Sequence, residues 1–291
     1  MVVRLDPPRT RIPVPDSRFD VFAEEQLTAY LRTQGIRVVE SRGHLWRNAA
    51  APSPIARQDW TPLHRFVPLT RDEARFPLRS ALAYRCLAAE PVPTTFPYVV
   101  VRDIPNYDER RMTKDHARHV RRALERFEFV WLDSPDLLLE QGWQVASAAA
   151  AESGMVIARH EGEYRKQTIA MFDAPPIVIA GLSEGRLAGY VTTYATGAEA
   201  VFEKIYIAPE FRKEGVGRGL YWNVLAGWAQ TPGVQNVWTG GTLPQRGVDR
   251  FKVSMGAVLE EVPVHAGMRA PMAMALRRLR PTAISLGALN G

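Results

Sequence analysis

The chain has 291 residues, with 46% hydrophobic and 23% charged residues and a formal net charge of +6. That is enough apolar material for two modest domains or one large one, with no eighteen-residue apolar run to cross a membrane. The single cysteine, Cys86, excludes an internal disulfide and a Cys-rich zinc site, and the start of the chain shows no apolar leader, so a cytoplasmic, metal-free protein is expected.

The basic balance favours anionic partners such as nucleotides, coenzyme phosphates or RNA. The arginines are mostly interleaved with acids, which argues against nucleic acid. In chain order, "FDVFAEEQLTAYLRTQG" predicts a helix from Phe19 to Thr33 ending at Gly35. "IRVVESRGHLWRN" predicts two strands around Arg42-Gly43, and "EARFPLRSALAYRCLAAE" a helix after Pro77. "FPYVVVRD" reads as a strand. After a turn at "IPNYDE", "ERRMTKDHARHVRRALER" places Arg118, Arg121, Arg122 and Arg126 on one basic helix face. "EFVWLD" is the next strand. A domain boundary is expected near Pro105, with an N-terminal accessory unit over 1–105, a main domain over 106–270 and a tail over 271–291.

From Ser134 the order becomes regular. Ser134 and Pro135 open a long helix as N-cap and first helical residue. "EGEYRKQTIAMF" makes a second helix. Three strands follow, turning at Ser183-Glu184-Gly185 and at Thr196-Gly197. "IAPEFRKEGVGRGLYWNVLAGW" is then a turn and a helix, "VQNVWTG" a strand, "LPQRGVDRFKVSMG" a short helix and "AVLEEVPVHAG" a final strand. The fold class is α+β, with helices on a mixed, mostly antiparallel sheet.

Gly215, Gly217 and Gly219 stand at the mouth of a helix, where each costs about 1 kcal/mol against alanine. A helix start is an anion site, and glycines let a phosphate approach the backbone. A P-loop needs Lys followed by Ser or Thr, and Arg218-Gly219-Leu220 does not supply it. A dinucleotide fingerprint needs its third glycine one residue later and an acid after the next strand. The surrounding strands also read as hairpins rather than parallel crossovers.

Arg212-Lys213-Glu214-Gly215-Val216-Gly217 resembles the Arg/Gln-x-x-Gly-x-Gly/Ala signature of the GCN5-related N-acetyltransferase (GNAT) superfamily. "IYIAPEFR" is similar to that family's fourth strand and its exit, and the resemblance spans roughly Ser134 to Met268. It implies an acyltransferase that takes acetyl-CoA or another acyl-CoA as co-substrate. Backbone amides from Lys213 to Gly219 would hold the pyrophosphate, with charge from Arg212 and Arg218. The strand end at Tyr206-Ile207 would pair with the pantetheine arm.

Such chemistry starts from a neutral amine. An alkyl amine with a pKa near 10.4 is about 0.04% neutral at pH 7, a handicap of roughly 4.6 kcal/mol. A base relieves it, often through water. Glu203 occupies the position at which members of the family carry a glutamate base. The leaving thiolate commonly receives its proton from a tyrosine before the last helix's "GF", but here Lys252 stands in that place and Ala257 replaces the phenylalanine. Tyr206, with Tyr190 and Tyr194, is a substitute.

"DRFKVSMGA" and "TKDHARHVRRALERFEFVWLD" are similar to segments of the FemAB-like branch, which has tandem acyltransferase-like domains and uses aminoacyl-tRNA. That branch implies a reduced acyltransferase-like copy in the N-terminal unit. It also gives Lys252 the role of stabilising negative charge; the alternative is a lysine with its stem packed and its head in water. The expected partners are a coenzyme A thioester and a small amine acceptor, with tRNA only on the FemAB-like reading. A homodimer stays open, and a non-catalytic coenzyme-binding module is the remaining alternative. His116 and His119 lack a third metal ligand.

Overall fold

The computed structural model describes residues 19–48, 59–74, 83–153, 157–158, 160–173, 176–241 and 246–268. The six α-helices among them are α1 (Glu24–Thr33), α2 (Lys114–Arg126), α3 (Trp143–Ser153), α4 (Glu161–Asp173), α5 (Val216–Ala229) and α6 (Arg246–Ser254). The strands are β1 (Val38–Ser41), β2 (His44–Asn48), β3 (Asp59–Pro62), β4 (Ala83–Leu87), β5 (Thr95–Val101), β6 (Glu128–Trp131), β7 (Ile177–Ser183), β8 (Arg186–Thr196), β9 (Glu199–Ile207), β10 (Asn236–Gly241) and β11 (Val258–Met268). They form one sheet in the order β1-β2-β3-β4-β11-β5-β10-β9-β8-β7-β6. Among the described strands only the β3–β4 and β9–β10 pairs are parallel, so the expected mixed, mostly antiparallel α+β arrangement is present.

Local chemistry accounts for most elements. Arg42 (φ 55°) and Gly43 (φ 75°) close the β1–β2 hairpin as a two-residue turn, the form that matches strand twist. Glu184 (φ 52°) and Gly185 (φ 75°) do the same between β7 and β8. In α2, the Thr113 hydroxyl accepts from the His116 amide. Ala117, Val120 and Ala123 form the buried stripe of that helix, which packs against α5, and its arginines face outward. β8 is buried along nearly its whole length, so it carries a near-continuous apolar run instead of an alternating one.

Several expectations need correction. The first helix starts at Glu24, not Phe19; Phe19 is buried against Trp228, and Val21 pairs with Ala195 of β8. The segment expected to be helical around Cys86 is strand β4. It pairs with β11 from Val264↔Leu87 to Met268↔Ala83, and sheet pairing outweighs the helical propensity of its alanines and leucines. β3 was not foreseen. The helix after Ser134 opens with the Pro135 carbonyl accepting from Leu139, while the Ser134 hydroxyl turns to Asp136; a π-helical segment, Leu138–Gly142, then leads into α3. Finally, β9 and β10 are parallel neighbours joined through α5. This connection is therefore a crossover and not a hairpin, and the argument against a dinucleotide site rests on the glycine spacing and missing acid alone.

β5 precedes the basic helix in sequence yet lies between β10 and β11, antiparallel to both. It binds the chain before Pro105 into the same sheet as the chain after it. The main core runs from α1 through the sheet to α5, where Trp228 is fully buried. Its indole N–H donates to Thr193 Oγ1 (2.9 Å), whose hydroxyl donates to the Val201 carbonyl (2.8 Å). A second cluster, Trp46, Trp60, Leu69, Ala74 and Cys86, supports the β1–β4 edge. The tail over 271–291 lies outside the described residues.

Candidate active site

β9 and β10 pair only at Asn236↔Glu199, Val237↔Ala200 and Trp238↔Val201. Beyond that point β9 runs on to Ile207 along β8, while β10 stays with β5 and shifts register between Trp238 and Gly241. Gly240 sits at φ 102° within the shift, a conformation that favours glycine. The two strands splay, leaving the β10-facing edge of Phe202–Ile207 without a strand partner among the described residues. Glu199 fixes the closed end: its carboxylate accepts from Asn236 Nδ2 (2.9 Å) and from the Trp238 indole N–H.

The chain leaves β9 through Ala208 and a 3₁₀ turn, Pro209–Glu214, and enters α5 through Gly215 at φ 94°. Among the described residues, the N–H groups of Gly215, Val216 and Gly217 have no acceptor. Those of Arg218 and Gly219 are taken by the Gly215 carbonyl, at 2.9 and 3.4 Å. The expected amide cradle of Lys213 to Gly219 thus narrows to three donors at the positive end of a fourteen-residue helix.

The three glycines do different work. A Cβ on Gly217 would lie 2.6 Å from Ile207 Cδ1, and one on Gly219 would lie 2.1 Å from Phe129 Cζ. Gly217 thus lets the loop approach the end of β9, whereas Gly219 makes room for a core ring. The charged side chains of the loop are partly committed. Arg212 pairs with Glu152 of α3, and Glu214 with Arg126 of α2 at 2.7 Å. Lys213 is exposed with no ion pair among the described residues.

Glu203 projects from β9 and accepts a hydrogen bond from the Tyr30 hydroxyl of α1. Tyr30 is fully buried; burial first, and then the charge of Glu203, push its pKa well above the ordinary tyrosine value. It therefore stays protonated and donates at any working pH. Tyr206 is also buried, its ring centroid 5.1 Å from that of Tyr190, and burial followed by the charge of Glu203 raises its pKa. Tyr190 in turn shares a hydroxyl–hydroxyl bond with Tyr164 (3.0 Å). Tyr206 as found is a proton donor and not a base.

Lys252 projects from α6 onto β10. Its Nζ donates to the Thr239 carbonyl of β10 (2.7 Å), and only 8% of the residue is exposed. The head is not in water, so the alternative of a solvated surface lysine is discarded. Burial lowers its pKa, with Asp249 opposing the shift. Between the folded value and the ordinary 10.5 the unfolded chain binds the extra proton, so the unfolding free energy rises with pH across that window. Lys252→Met is expected to abolish this rise, measured as urea midpoints through the alkaline range. An identical slope in the variant would contradict the buried-cation assignment.

Two groups were invisible in the sequence. Tyr30 is 173 positions from Glu203, and Arg47 of β2 reaches the Tyr194 hydroxyl across 147 positions. No local pattern marks either. His119 pairs with Asp115 (3.3 Å), and the described residues contain no group of three metal-ligating side chains. Cys86 is buried and its thiol is pushed up to about 12, which leaves almost no thiolate for covalent catalysis at neutral pH.

The candidate site thus brings together a splayed parallel strand pair, a glycine loop between the two strands, a carboxylate on β9 and a buried lysine bonded to β10. Residues 123–252 match the acetyltransferase (GNAT) family. That segment, 130 of the chain's 291 residues, is a GNAT domain, and it supports reading the chain as an N-acyltransferase. No curated protein matches it by sequence.

Solved structures share the fold across nearly the whole chain. The C-terminal domain (DUF2156) of a lysylphosphatidylglycerol synthetase candidate from Agrobacterium fabrum is 12% identical, with 89% of this chain and 92% of that one covered and a TM-score of 0.57. FemX is 11% identical, with 86% and 92% covered and a TM-score of 0.58. L-PGS from Bacillus licheniformis is 14% identical, with 90% and 98% covered and a TM-score of 0.54. The FemAB-like features read in the middle and at the end of the sequence thus have a counterpart in the fold. Among the described residues no helix is long and apolar enough to cross a membrane.

Proposed function

We propose that the chain transfers the acyl group of a coenzyme A thioester, acetyl-CoA in the first place, to a primary amine by direct attack in a ternary complex. The observation that carries this reading is the trio of free amides at Gly215, Val216 and Gly217, set beside the unpartnered edge of β9. A pyrophosphate fits such a helix start. The open edge of Phe202–Ile207 suits the amide groups of a pantetheine arm and an N–H donor for the tetrahedral oxyanion. Glu203, held by Tyr30, takes the proton from the amine. Lys252, bonded to β10, supplies positive charge where negative charge develops and leaves. On this reading the N-terminal unit, 1–105, is a reduced acyltransferase-like copy that completes the site through Tyr30.

Acetyl-CoA at about 100 times its Kd is expected to stabilise the fold by roughly 2.7 kcal/mol. Differential scanning fluorimetry with acetyl-CoA, dephospho-CoA and free adenosine checks it. No upward shift in Tm with acetyl-CoA at saturating concentration would sink the donor assignment.

A second reading keeps the acyl transfer but replaces the thioester with an aminoacyl ester on tRNA. The position of α2 favours it. This helix packs on α5 next to the glycine loop, and its arginines face outward. The amide of its cap residue Thr113 bonds the Ser254 carbonyl at the end of α6 (3.1 Å). Binding of charged tRNA that weakens steeply with salt supports this second donor, and binding of acetyl-CoA alone supports the first.

A further inference from the structure

Arg47 has 7% of its surface exposed, and among the described residues its side chain's one hydrogen bond runs from Nη1 to the Tyr194 hydroxyl at 3.4 Å. Among the described residues no carboxylate lies within ion-pair distance of it. Of the chain's 31 acidic residues, only Asp6, Asp16 and the side chain of Asp59 fall outside the description. A guanidinium buried without a counter-charge is strongly unfavourable. The fold keeps it where β2 and α1 meet β8 and β9. Tyr194 is stacked on Phe22, and its ring centroid is 6.0 Å from that of Tyr30. Tyr30 in turn donates to Glu203. Arg47 and Glu203 therefore flank one wall made of two buried tyrosines, with a fixed cation at one end and the proposed base at the other.

We propose that Arg47 binds a carboxylate of the acceptor, so that the substrate is an amine carrying an acid group, with a free amino acid as its smallest form. The planar guanidinium fork matches a carboxylate with two parallel hydrogen bonds. The acceptor's amine then lies towards Glu203, where its proton is taken. This assignment rests on the acyl-transfer reading for the position of the amine, but not for the binding of the carboxylate.

The test uses the full chain and three sets of compounds: free amino acids and dipeptides, their carboxamides, and the matching decarboxylated amines. Tm and acyl transfer from acetyl-CoA are both read. Free acids are expected to raise Tm and to be acylated, while carboxamides and decarboxylated amines do neither. Dipeptides matching the free amino acids would place the carboxylate at a peptide end; selectivity for single amino acids would place it on a free metabolite.

Arg47→Gln is expected to weaken the acid-bearing acceptor about 100-fold and to leave acetyl-CoA affinity unchanged. Arg47→Lys keeps the charge without the fork and falls between. Arg47→Met, with no buried cation to neutralise, is expected to keep or raise the Tm of the free protein. A fall in that Tm, as for a lost internal ion pair with Asp6, Asp16 or Asp59, would overturn the proposal. So would equal acceptance of acids and carboxamides, or a preference for amines bearing phosphate. Carboxylate-dependent binding with no acyl transfer leaves Arg47 as the anion site and removes the transfer reading. Transfer indifferent to the carboxylate does the reverse.

Discussion

Glu203→Gln is expected to lower kcat/KM for the amine by about 10²- to 10⁴-fold, equivalent to roughly 3–5 kcal/mol of barrier. The expectation follows from the amine's own chemistry. At neutral pH almost all of an alkyl amine is protonated, and the site must remove that proton before the nitrogen attacks. Glutamine keeps the size and an oxygen that accepts from Tyr30, so the packing between α1 and β9 is retained. The donor loop lies on Gly215–Gly217 and is not touched by the change, so donor affinity is expected to stay within about 2-fold. Rates measured by thiol release across a pH series provide the check. An unaltered pH–rate profile removes Glu203 from the mechanism.

The order of elements from Ser134 onward was readable because each carries its own local signal: turns at Glu184-Gly185 and Gly197, an apolar run in β8, and a glycine loop before α5. The first hundred residues were harder for a physical reason. β4 is a strand only because β11, some 180 residues later, pairs with it, and its own residues favour a helix about as well. β5 was recognised as a strand, yet its place between β10 and β11 is set by partners that no window of sequence contains.

The same limit applies to the site. Glu203 and Lys252 stand in motifs, and that is why the sequence singles them out. Tyr30 and Arg47 act through contacts across more than a hundred positions and leave no periodic trace. The glycine motif itself was legible as a loop, but not as three separate constraints. Only the packing shows that Gly215 supplies a left-handed turn, Gly217 clears Ile207 and Gly219 clears Phe129.

That division of labour yields a paired prediction. Gly217→Glu is expected to weaken acetyl-CoA by more than about 100-fold, near 2.7 kcal/mol, with a small change in Tm. The new Cβ meets only the tip of Ile207, a flexible methyl that can move aside, but the carboxylate stands among the three free amides meant for an anion. Gly219→Ala works in the opposite direction. Alanine gains up to about 1 kcal/mol of helix propensity, against an overpacking cost of about 1–3 kcal/mol or more. Three atoms of the rigid Phe129 ring lie within 2.9 Å of the new methyl, so the cost wins. The Gly219 amide already bonds Gly215, so the folded fraction should bind acetyl-CoA as the wild type does. Urea melts and isothermal titration on both variants separate the two effects. If Gly219→Ala lost the donor while Gly217→Glu lost only stability, the anion site would have to be moved off the Gly215–Gly217 amides.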